Sequence, residues 1–223
     1  MPATVLMNTG GIASTNCFLV ADEGAKVAVL FDAPDHTAGP LLEEAARRGW
    51  DVIGLWLTHG HFDHMLDHVE VSDRFPNAKV LVHRLDEPKL LHPNSSLGFP
   101  IPFRLTPRRP DGYVEDGQQL SIGSLRCEVI HTPGHSPGHV MYHFPEDKLL
   151  VGGDLIIAGA VGRTDFADSS PAALYASIRR VMRLPPETRL LPGHGDVGTL
   201  ADELETNPYV RAVMGLEEGV SFG

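Results

Sequence analysis

The sequence predicts an α/β protein in which two packed sheets lie between outer helices. Short apolar runs of strand length alternate with helical patterns in both halves of the chain. Several of these strand runs end in a turn that carries His or Asp and is punctuated by glycine. No low-complexity stretch or interdomain linker interrupts the pattern, and 223 residues are enough to bury a full core. We therefore expect one domain that spans residues 1–223.

Strands and helices are predicted in alternation along the first half of the chain. Apolar and β-branched residues between turn signals predict strands over 15–21, 26–32, 52–57 and 78–83. The run over 52–57 is nearly all apolar, which is typical of a buried central strand. A first helix is predicted to hold Pro40 in its first turn and to end at Gly49. A second helix is predicted over 65–75.

Residues 92–112 interrupt this alternation with five prolines. A stretch of this length and composition is unlike regular structure, and long ordered loops are often functional. Two interpretations stay open, a surface connection and a flap over a functional site. Beyond it the pattern resumes, with strands predicted over 119–122, 125–132, 140–144, 148–151 and 189–191 and a helix over 171–182.

Composition narrows the range of partners. Hydrophobic residues make up 42% of the chain, charged residues 21%, and the formal net charge is −11. An acidic chain repels phosphate backbones, so we expect no nucleic-acid partner. The N-terminus lacks the features of a signal peptide and no segment approaches a membrane span, which predicts a cytoplasmic protein with no membrane partner. Cys17 and Cys127 are too few for a disulfide framework and are expected to be buried as small apolar residues.

The strongest chemical signal is a run of ligand-type residues, Thr58-His59-Gly60-His61-Phe62-Asp63-His64, directly after the predicted central strand. Packing gives no reason to place three imidazoles and a carboxylate at the end of an apolar strand. His59 and His61 can face one cation from an extended turn, and Asp63 and His64 can face a second cation nearby. Borderline divalent metals favour such nitrogen and oxygen ligands.

Three further turns of this kind follow predicted strands. They are His131-Thr132-Pro133-Gly134-His135-Ser136-Pro137-Gly138-His139, Gly152-Gly153-Asp154 and Pro192-Gly193-His194-Gly195. Each turn alone is a weak signal, because a His or Asp after a strand is commonly a solvated loop residue. Four such turns in one chain are a far more specific indication of a metal site.

Together these motifs resemble the metallo-β-lactamase superfamily. The order H-x-H-x-D-H, G-H-x-x-G-H, G-D and P-G-H covers nearly the whole chain, from Asn16 to about Tyr209. The segment 162–166 is similar to the G-R-[ST]-D-F loop of glyoxalase II-like proteins and persulfide dioxygenases, and segments 183–189 and 207–209 are similar to glyoxalase II-like proteins. The resemblance implies a four-layer αββα fold, with two mixed sheets sandwiched between helices, and a place in the glyoxalase II-like (hydroxyacylglutathione hydrolase-like) subgroup.

The resemblance also implies a site for two divalent metal ions, with zinc expected and iron or manganese as alternatives. The implied ligands are His59, His61 and His135 for one metal, Asp63, His64 and His194 for the other, and Asp154 as a bridge. All seven positions hold the residue type that the family requires. His139 is expected to support a ligand rather than bind metal itself.

The implied reaction is hydrolysis of a small-molecule thioester or ester by a hydroxide shared between the two metals. Asp63 and Asp154 would be the catalytic carboxylates, Asp63 by orienting this hydroxide and Asp154 by joining the two metals. Arg163 is a candidate for contacting an anionic group of the substrate, because a guanidinium can pair with a carboxylate through two hydrogen bonds. The alternative for Arg163 is a salt bridge within its own loop.

Two other activities stay open at this stage, an iron-dependent persulfide dioxygenase and a lactonase or other esterase. The dioxygenase would use one iron, held by ligands of the type of His59, His135 and Asp154. The complete ligand set argues against a catalytically silent binding module. The sequence leaves open whether the chain forms a homo-oligomer.

The chain departs from the family pattern in two places. Met65-Leu66-Asp67 stands where small residues are usual after the D-H pair. Only 29 residues follow His194, whereas full-length glyoxalase II has a C-terminal helical domain that helps to hold glutathione. A glutathione site of that type is therefore not assumed.

Overall fold

Two mixed six-stranded sheets form the centre of the protein, in a computed structural model that describes residues 2–94 and 104–220. The first sheet has the order β1-β2-β3-β4-β5-β6 and consists of β1 (Thr4–Gly10), β2 (Thr15–Asp22), β3 (Val27–Phe31), β4 (Asp51–Trp56), β5 (Lys79–His83) and β6 (Gly112–Val114). The second sheet has the order β14-β13-β10-β9-β8-β7 and consists of β7 (Gln119–Ile122), β8 (Leu125–His131), β9 (Val140–Phe144), β10 (Leu149–Gly153), β13 (Arg189–Pro192) and β14 (Gly198–Thr199). A small hairpin, β11 (Ile156–Ile157) and β12 (Ala160–Val161), lies between β10 and β13 in the chain.

Strand direction in both sheets brings several strand ends to the same place. In the first sheet, β3, β4, β5 and β6 are parallel neighbours. In the second sheet, β8, β9 and β10 are antiparallel in turn and β10 is parallel to β13, so β8, β10 and β13 run the same way. The carboxyl ends of these three strands therefore lie at one edge, which is where their His- and Asp-bearing turns begin.

Helices cover the outer face of each sheet. They are α1 (Ala38–Arg48), α2 (His68–Arg74), α3 (Glu87–Leu91), α4 (Pro171–Val181), α5 (Leu200–Thr206) and α6 (Pro208–Val213). Leu41, Leu42 and Ala45 of α1 are buried in an apolar cluster with the outer face of the first sheet. Gly49 ends α1 in the left-handed conformation, with φ 69°, which glycine adopts without steric cost. Residues of α4, α5 and α6 share a second cluster with the outer face of the second sheet.

The main core lies between the two sheets. Alternate residues of β2 divide between layers, because Phe18 and Val20 face the second sheet while Cys17 and Leu19 face the helices. Phe31 makes edge contacts with Tyr142 and Phe144 of the opposite sheet, at centroid distances of 5.0 and 6.1 Å. This arrangement of helix, sheet, sheet and helix confirms the predicted four-layer fold.

The predicted helix over 65–75 is shorter than expected. Helix α2 begins only at His68, and residues 62–64 form a single turn of 3-10 helix. Tertiary contacts explain the difference, because the carboxylate of Asp67 accepts hydrogen bonds from the backbone N–H groups of His36, Thr37 and Ala38 at the start of α1. These bonds hold the segment in a turn where its apolar spacing predicts helix.

Some elements had no clear sequence signal. Strand β1 is half-exposed and rich in polar residues, yet it pairs with β2 along its full length. Helices α3, α5 and α6 are only five to seven residues long, too short for a reliable periodic pattern. Of the stretch at 92–112, residues 95–103 lie outside the described residues, so its interpretation as a flap stays a prediction.

Both cysteines are free and buried, as predicted. The Cys17 thiol donates to the backbone oxygen of Asp32 at 3.0 Å, and Cys127 packs in the core between the sheets. Within the described ranges, no helix is both long enough and apolar enough to cross a bilayer.

One polar contact crosses the apolar core and can be tested for its effect on stability. The buried hydroxyl of Tyr142, on β9, donates to the backbone oxygen of Leu57, just after β4, at 2.9 Å. We expect Tyr142→Phe to lower the free energy of unfolding by about 1 kcal/mol, because a buried hydrogen bond between the sheets is lost. Urea denaturation measures this, with Tyr113→Phe as the control because its hydroxyl bonds only the half-buried Glu87. Equal losses in the two variants would contradict the expectation.

Candidate metal centre

Four turns that follow β4, β8, β10 and β13 meet at the edge between the two sheets. Hydrogen bonds across this edge hold them together. The side chain of Asn16, on β2, donates to the backbone oxygens of Pro192 and Gly195, and its backbone N–H donates to Gly193. The backbone N–H of Val140 donates to the oxygen of Thr58 at 2.8 Å. The first sheet and the second sheet are thus tied directly at the point where the predicted ligands lie.

The structure brings together all seven residues that the sequence predicts as ligands. Their ligand-type atoms form three overlapping groups, each with all atoms within 4.8 Å of one another: His59, His61 and His135; His59, His64 and Asp154; and Asp63, His64 and His194. The overlap through His59 and His64 makes one continuous cluster. Asp154 and His64 are buried, while Asp63 and His194 are partly open to solvent.

Acceptors outside the cluster determine which ring nitrogen of each imidazole faces inward. Nδ1 of His135 donates to the backbone oxygen of Arg163 at 2.9 Å, and Nδ1 of His64 donates to the carboxylate of Asp32 at 2.8 Å. Nδ1 of His194 donates to the backbone oxygen of Ala13 at 3.2 Å. Since Nδ1 of each ring donates outward, Nε2 faces into the cluster, which is the orientation that metal ligation requires.

One nitrogen of His61 faces ring nitrogens of two other imidazoles. Its Nδ1 lies 3.0 Å from Nε2 of His59 and 2.8 Å from Nε2 of His135. Burial, together with the neighbouring imidazoles, lowers the pKa of His59 well below its ordinary value and that of His61 to about 3, so both rings are neutral at pH 7. His61 can donate one Nδ1 proton at most, and so cannot satisfy both contacts. A cation between the three nitrogens satisfies all of them.

Asp154 faces both halves of the cluster. Its oxygens lie 3.4 Å from Nε2 of His64, 3.2 Å from Nε2 of His194 and 3.5 Å from Nε2 of His135. Burial alone would raise the pKa of Asp154, but His64 and His194 outweigh it and hold the pKa well below the usual range. Burial alone would lower the pKa of His64, but the carboxylates of Asp154 and Asp32 raise it well above the usual range. The cluster therefore stabilises positive charge at this point.

In the described part of the chain, five buried polar side-chain atoms have no hydrogen-bond partner, and two of them lie in the cluster, Nε2 of His64 and Oδ1 of Asp154. Buried polar atoms of this kind need an explanation, and an ion between them supplies one. Together with the His61 contacts, they show that the residues present fit a metal at both ends of the cluster. The His/Asp cluster can hold two metal ions.

His139 hydrogen-bonds a member of the cluster but is absent from the three groups of potential ligands among the described residues. Its Nε2 accepts the backbone N–H of Asp154 at 2.9 Å, and its Nδ1 lies 2.8 Å from the hydroxyl of Thr132. Both ring nitrogens are thus used. Burial lowers its pKa to about 3, which keeps the ring neutral and able to accept this hydrogen bond.

Two buried carboxylates were missed from the sequence. Asp32, after β3, accepts hydrogen bonds from the backbone N–H and hydroxyl of Thr58, both at 2.8 Å, in addition to His64. Asp86, after β5, accepts the backbone N–H of Gly60 at 2.8 Å. A signal was present for Asp32, since it follows an apolar strand run in the same way as Asp154. Asp86 follows its strand by three residues and gave no comparable signal.

A cavity of about 890 Å³ opens beside the cluster. His61, Asp63, His135, Asp154 and His194 reach its wall. Arg163 also lines the cavity, with Nη2 at 2.6 Å and Nε at 3.0 Å from the two carboxylate oxygens of Asp165. Its guanidinium lies over the ring of Phe166, 5.1 Å from the centroid. Both interpretations of Arg163 are therefore compatible with its place, at the cavity wall and in a salt bridge of its own loop.

Comparison with known proteins places this geometry in a family. A family model for the metallo-beta-lactamase superfamily matches residues 10–194. The hydroxyacylglutathione hydrolase of Maricaulis maris is 34% identical over 177 residues, which are 79% of this chain and 60% of that protein. The chain therefore spans less than two thirds of that relative.

Two solved structures are similar over nearly their whole length. The crystal structure of TTHA1623 in a di-iron-bound form is 37% identical, with a TM-score of 0.77, and the match covers 92% of this chain and 99% of that one. The BLEG-1 B3 metallo-beta-lactamase is 31% identical, with a TM-score of 0.83, and the match covers 93% of this chain and 99% of that one. With its fold, its motifs and its His/Asp cluster in agreement, the chain belongs to the metallo-beta-lactamase superfamily.

Proposed function

We propose that this protein is a dinuclear metal-dependent hydrolase that cleaves a thioester or ester, in the manner of glyoxalase II. The observation that carries the proposal is the shared position of Asp154, whose carboxylate faces imidazoles of both halves of the cluster. His59, His61 and His135 would hold one metal, Asp63, His64 and His194 the other, and Asp154 both. The similarity to a named hydroxyacylglutathione hydrolase supports the thioester as substrate class.

Two bound divalent cations would supply activation of water at neutral pH and stabilisation of negative charge on a carbonyl oxygen. The residues of the chain set the geometry for this chemistry. Asp63 accepts a hydrogen bond from the Thr15 hydroxyl at 3.0 Å with Oδ2, which lies 3.6 Å from Nε2 of both His64 and His194, and we assign this carboxylate to orient the attacking water. His139 fixes the backbone of Asp154, which keeps that carboxylate directed into the cluster.

The substrate would occupy the cavity beside the cluster, with its carbonyl next to Asp63 and Asp154. A volume of about 890 Å³ is in the range of small-molecule sites. Arg163 would contact the substrate from the cavity wall. Zinc is the expected metal, and the di-iron form of a relative at 37% identity supports iron as the alternative.

Metal content and turnover test the proposal together. We expect two metal ions per chain by elemental analysis, and hydrolysis of S-lactoylglutathione or a simple acyl thioester by the zinc-loaded protein. A chelator should abolish turnover and added zinc should restore it, because the bound metal ions would be what activates the attacking water. Absence of turnover with every acyl thioester and ester would refute the hydrolase. One iron per chain with oxygen uptake on a persulfide would support a dioxygenase instead.

Replacement of the shared carboxylate tests the ligand assignment. We expect Asp154→Asn to lower the bound metal below two ions per chain and to reduce kcat by at least about a hundredfold, since loss even of a residue that supports a ligand costs 10- to 100-fold. Asp73→Ala, on the exposed face of α2, is the control and should keep both properties. Full activity and full metal content in Asp154→Asn would rule out Asp154 as a ligand shared by the two metals.

A further inference from the structure

We propose that the substrate carries an apolar, uncharged group beside its scissile carbonyl, and that a carboxylate-bearing group such as glutathione is disfavoured. This inference rests on the proposed hydrolase function and specifies its substrate class. Two independent features of the cavity wall carry it, an exposed apolar rim and cations that are already paired.

The rim of the cavity exposes large apolar side chains. Ile12, in the turn after β1, is 61% exposed, and Leu85, between β5 and α3, is 55% exposed. Both line the cavity, together with Phe62, Phe166 and Pro88. Among the described residues, three large apolar side chains are at least 55% exposed, and two of them stand at this one opening. When an apolar group of a ligand covers such exposed side chains, the free energy of the complex is lowered because apolar surface is removed from water.

The cations of the cavity wall are each held by carboxylates of the protein. Among the described residues that line the cavity, the permanently charged cations are Lys89 and Arg163. The Lys89 side chain is only 10% exposed; its ammonium contacts the carboxylate of Asp168 and lies 3.7 Å from that of Asp86. Arg163 is held by Asp165 through two hydrogen bonds. Both cations of this part of the wall are therefore already paired with a carboxylate of the protein.

The same carboxylates oppose an anionic substrate. Asp165 and Asp168 both line the cavity, so a substrate carboxylate that approached Arg163 or Lys89 would also approach a like charge. Glutathione has two carboxylates to place. An uncharged thiol or alcohol, joined to an apolar acyl group, meets neither repulsion and covers the apolar rim. Acyl thioesters and esters without negative charge are thus the class that the wall accepts.

Two substrates with one acyl group test this directly. We would compare kcat/KM of the zinc-loaded protein for the hexanoyl thioester of N-acetylcysteamine and for the hexanoyl thioester of glutathione. We expect kcat/KM to be at least about tenfold higher for the uncharged thioester. The carboxylates of the glutathione thioester would find Lys89 and Arg163 of the cavity wall already paired, and unpaired polar groups cause discrimination of this size. An equal or higher value for the glutathione thioester would overturn the inference. Lack of turnover of both would count against the hydrolase function itself, so the two failures are distinguishable.

Variants separate the contributions of the rim and of the charges. We expect Leu85→Ser to raise KM for the hexanoyl thioester about three- to tenfold with little change in kcat. Leu216→Ser is the matched control, because Leu216 is also 55% exposed but lies away from the cavity. Asp165→Asn should raise kcat/KM for the glutathione thioester, because it frees Arg163. Unchanged KM in Leu85→Ser, together with no gain in Asp165→Asn, would overturn the inference.

A different observation supports a second inference, that Asp86 is a positioning residue for the metal centre. Asp86 is fully buried and joins two of the ligand-bearing turns. Its Oδ2 accepts the backbone N–H of Gly60, between His59 and His61, and the hydroxyl of Ser136, next to His135. Its Oδ1 accepts the backbone N–H of Gly138 at 2.8 Å. We infer that this carboxylate sets the distance between the two turns, and hence the approach of His61 to His135.

The local geometry is built around this carboxylate. A Cβ atom on Gly138 would lie 2.7 Å from Cγ of Asp86, so the close approach requires glycine there. Lys89, 3.7 Å from Oδ1, balances the buried charge. Burial would raise the pKa of Asp86, but Lys89 and the hydrogen bonds from Ser136, Gly60 and Gly138 lower it, so the group accepts all these bonds as a carboxylate.

Asp86→Asn tests this role, because each carboxylate oxygen accepts a backbone N–H and an amide must turn its NH₂ group toward one of them. We expect metal affinity, measured by competition with a chelator, to fall about 10- to 100-fold, and the visible spectrum of the cobalt-substituted protein to change. Asp22→Asn is the control, since Asp22 also has little exposed surface and accepts bonds from Gly24, Ala25 and Ser124 far from the centre. Ser136→Ala removes one bond only and should cause a smaller loss. Unchanged affinity and spectrum in Asp86→Asn would refute the inference, whatever the effect on Tm.

Discussion

The structure depends on holding a buried carboxylate among imidazoles at the edge between two sheets. Burial of charge costs free energy unless the charge is paired and hydrogen-bonded, and Asp154 meets this condition only because the four turns converge on it. Every imidazole that faces Asp154 is oriented by an acceptor behind it, which is a carboxylate for His64 and a backbone oxygen for His135 and His194. The candidate metal centre is thus a property of the packed sheets, because none of these three rings has its acceptor in its own turn.

Two strand-end carboxylates hold the first ligand turn from opposite sides. Asp32 binds the start of the turn at Thr58 and its end at His64, while Asp86 binds its middle at Gly60. The strands that carry them, β3 and β5, flank β4 in the first sheet. A parallel arrangement of three neighbours therefore places one acidic residue on either side of the turn, and the turn has little freedom left. Such rigid support is what a preorganised ligand set requires.

Much of this could be predicted from the sequence, and the reasons for success and failure are physical. The grouping of the candidate ligands was predictable because metal chemistry restricts such residues to a few types, and because they follow strands whose ends meet at one edge. The supporting carboxylates were not, since an Asp after a strand is common and its partners are distant in sequence. Asp86, for example, bonds Ser136, which is fifty residues away. The predicted helix over 65–75 begins later than expected for the same reason, because Asp67 is held by the start of α1 across the fold.

The cavity wall and the ligand cluster are built from different parts of the fold. The ligands stand at the ends of strands, whereas Ile12, Leu85 and Arg163 belong to connecting segments, which can change without disturbing the sheets. Membership of the superfamily therefore constrains the chemistry of the centre more strongly than the identity of the substrate. In this chain the cations of the cavity wall are paired with carboxylates of the protein. Lys89 and Asp168, for example, lie 79 residues apart in the sequence and meet only in the folded protein. A basic residue near a hydrolytic centre is for that reason poor evidence of an anionic substrate until its partner in the fold is known.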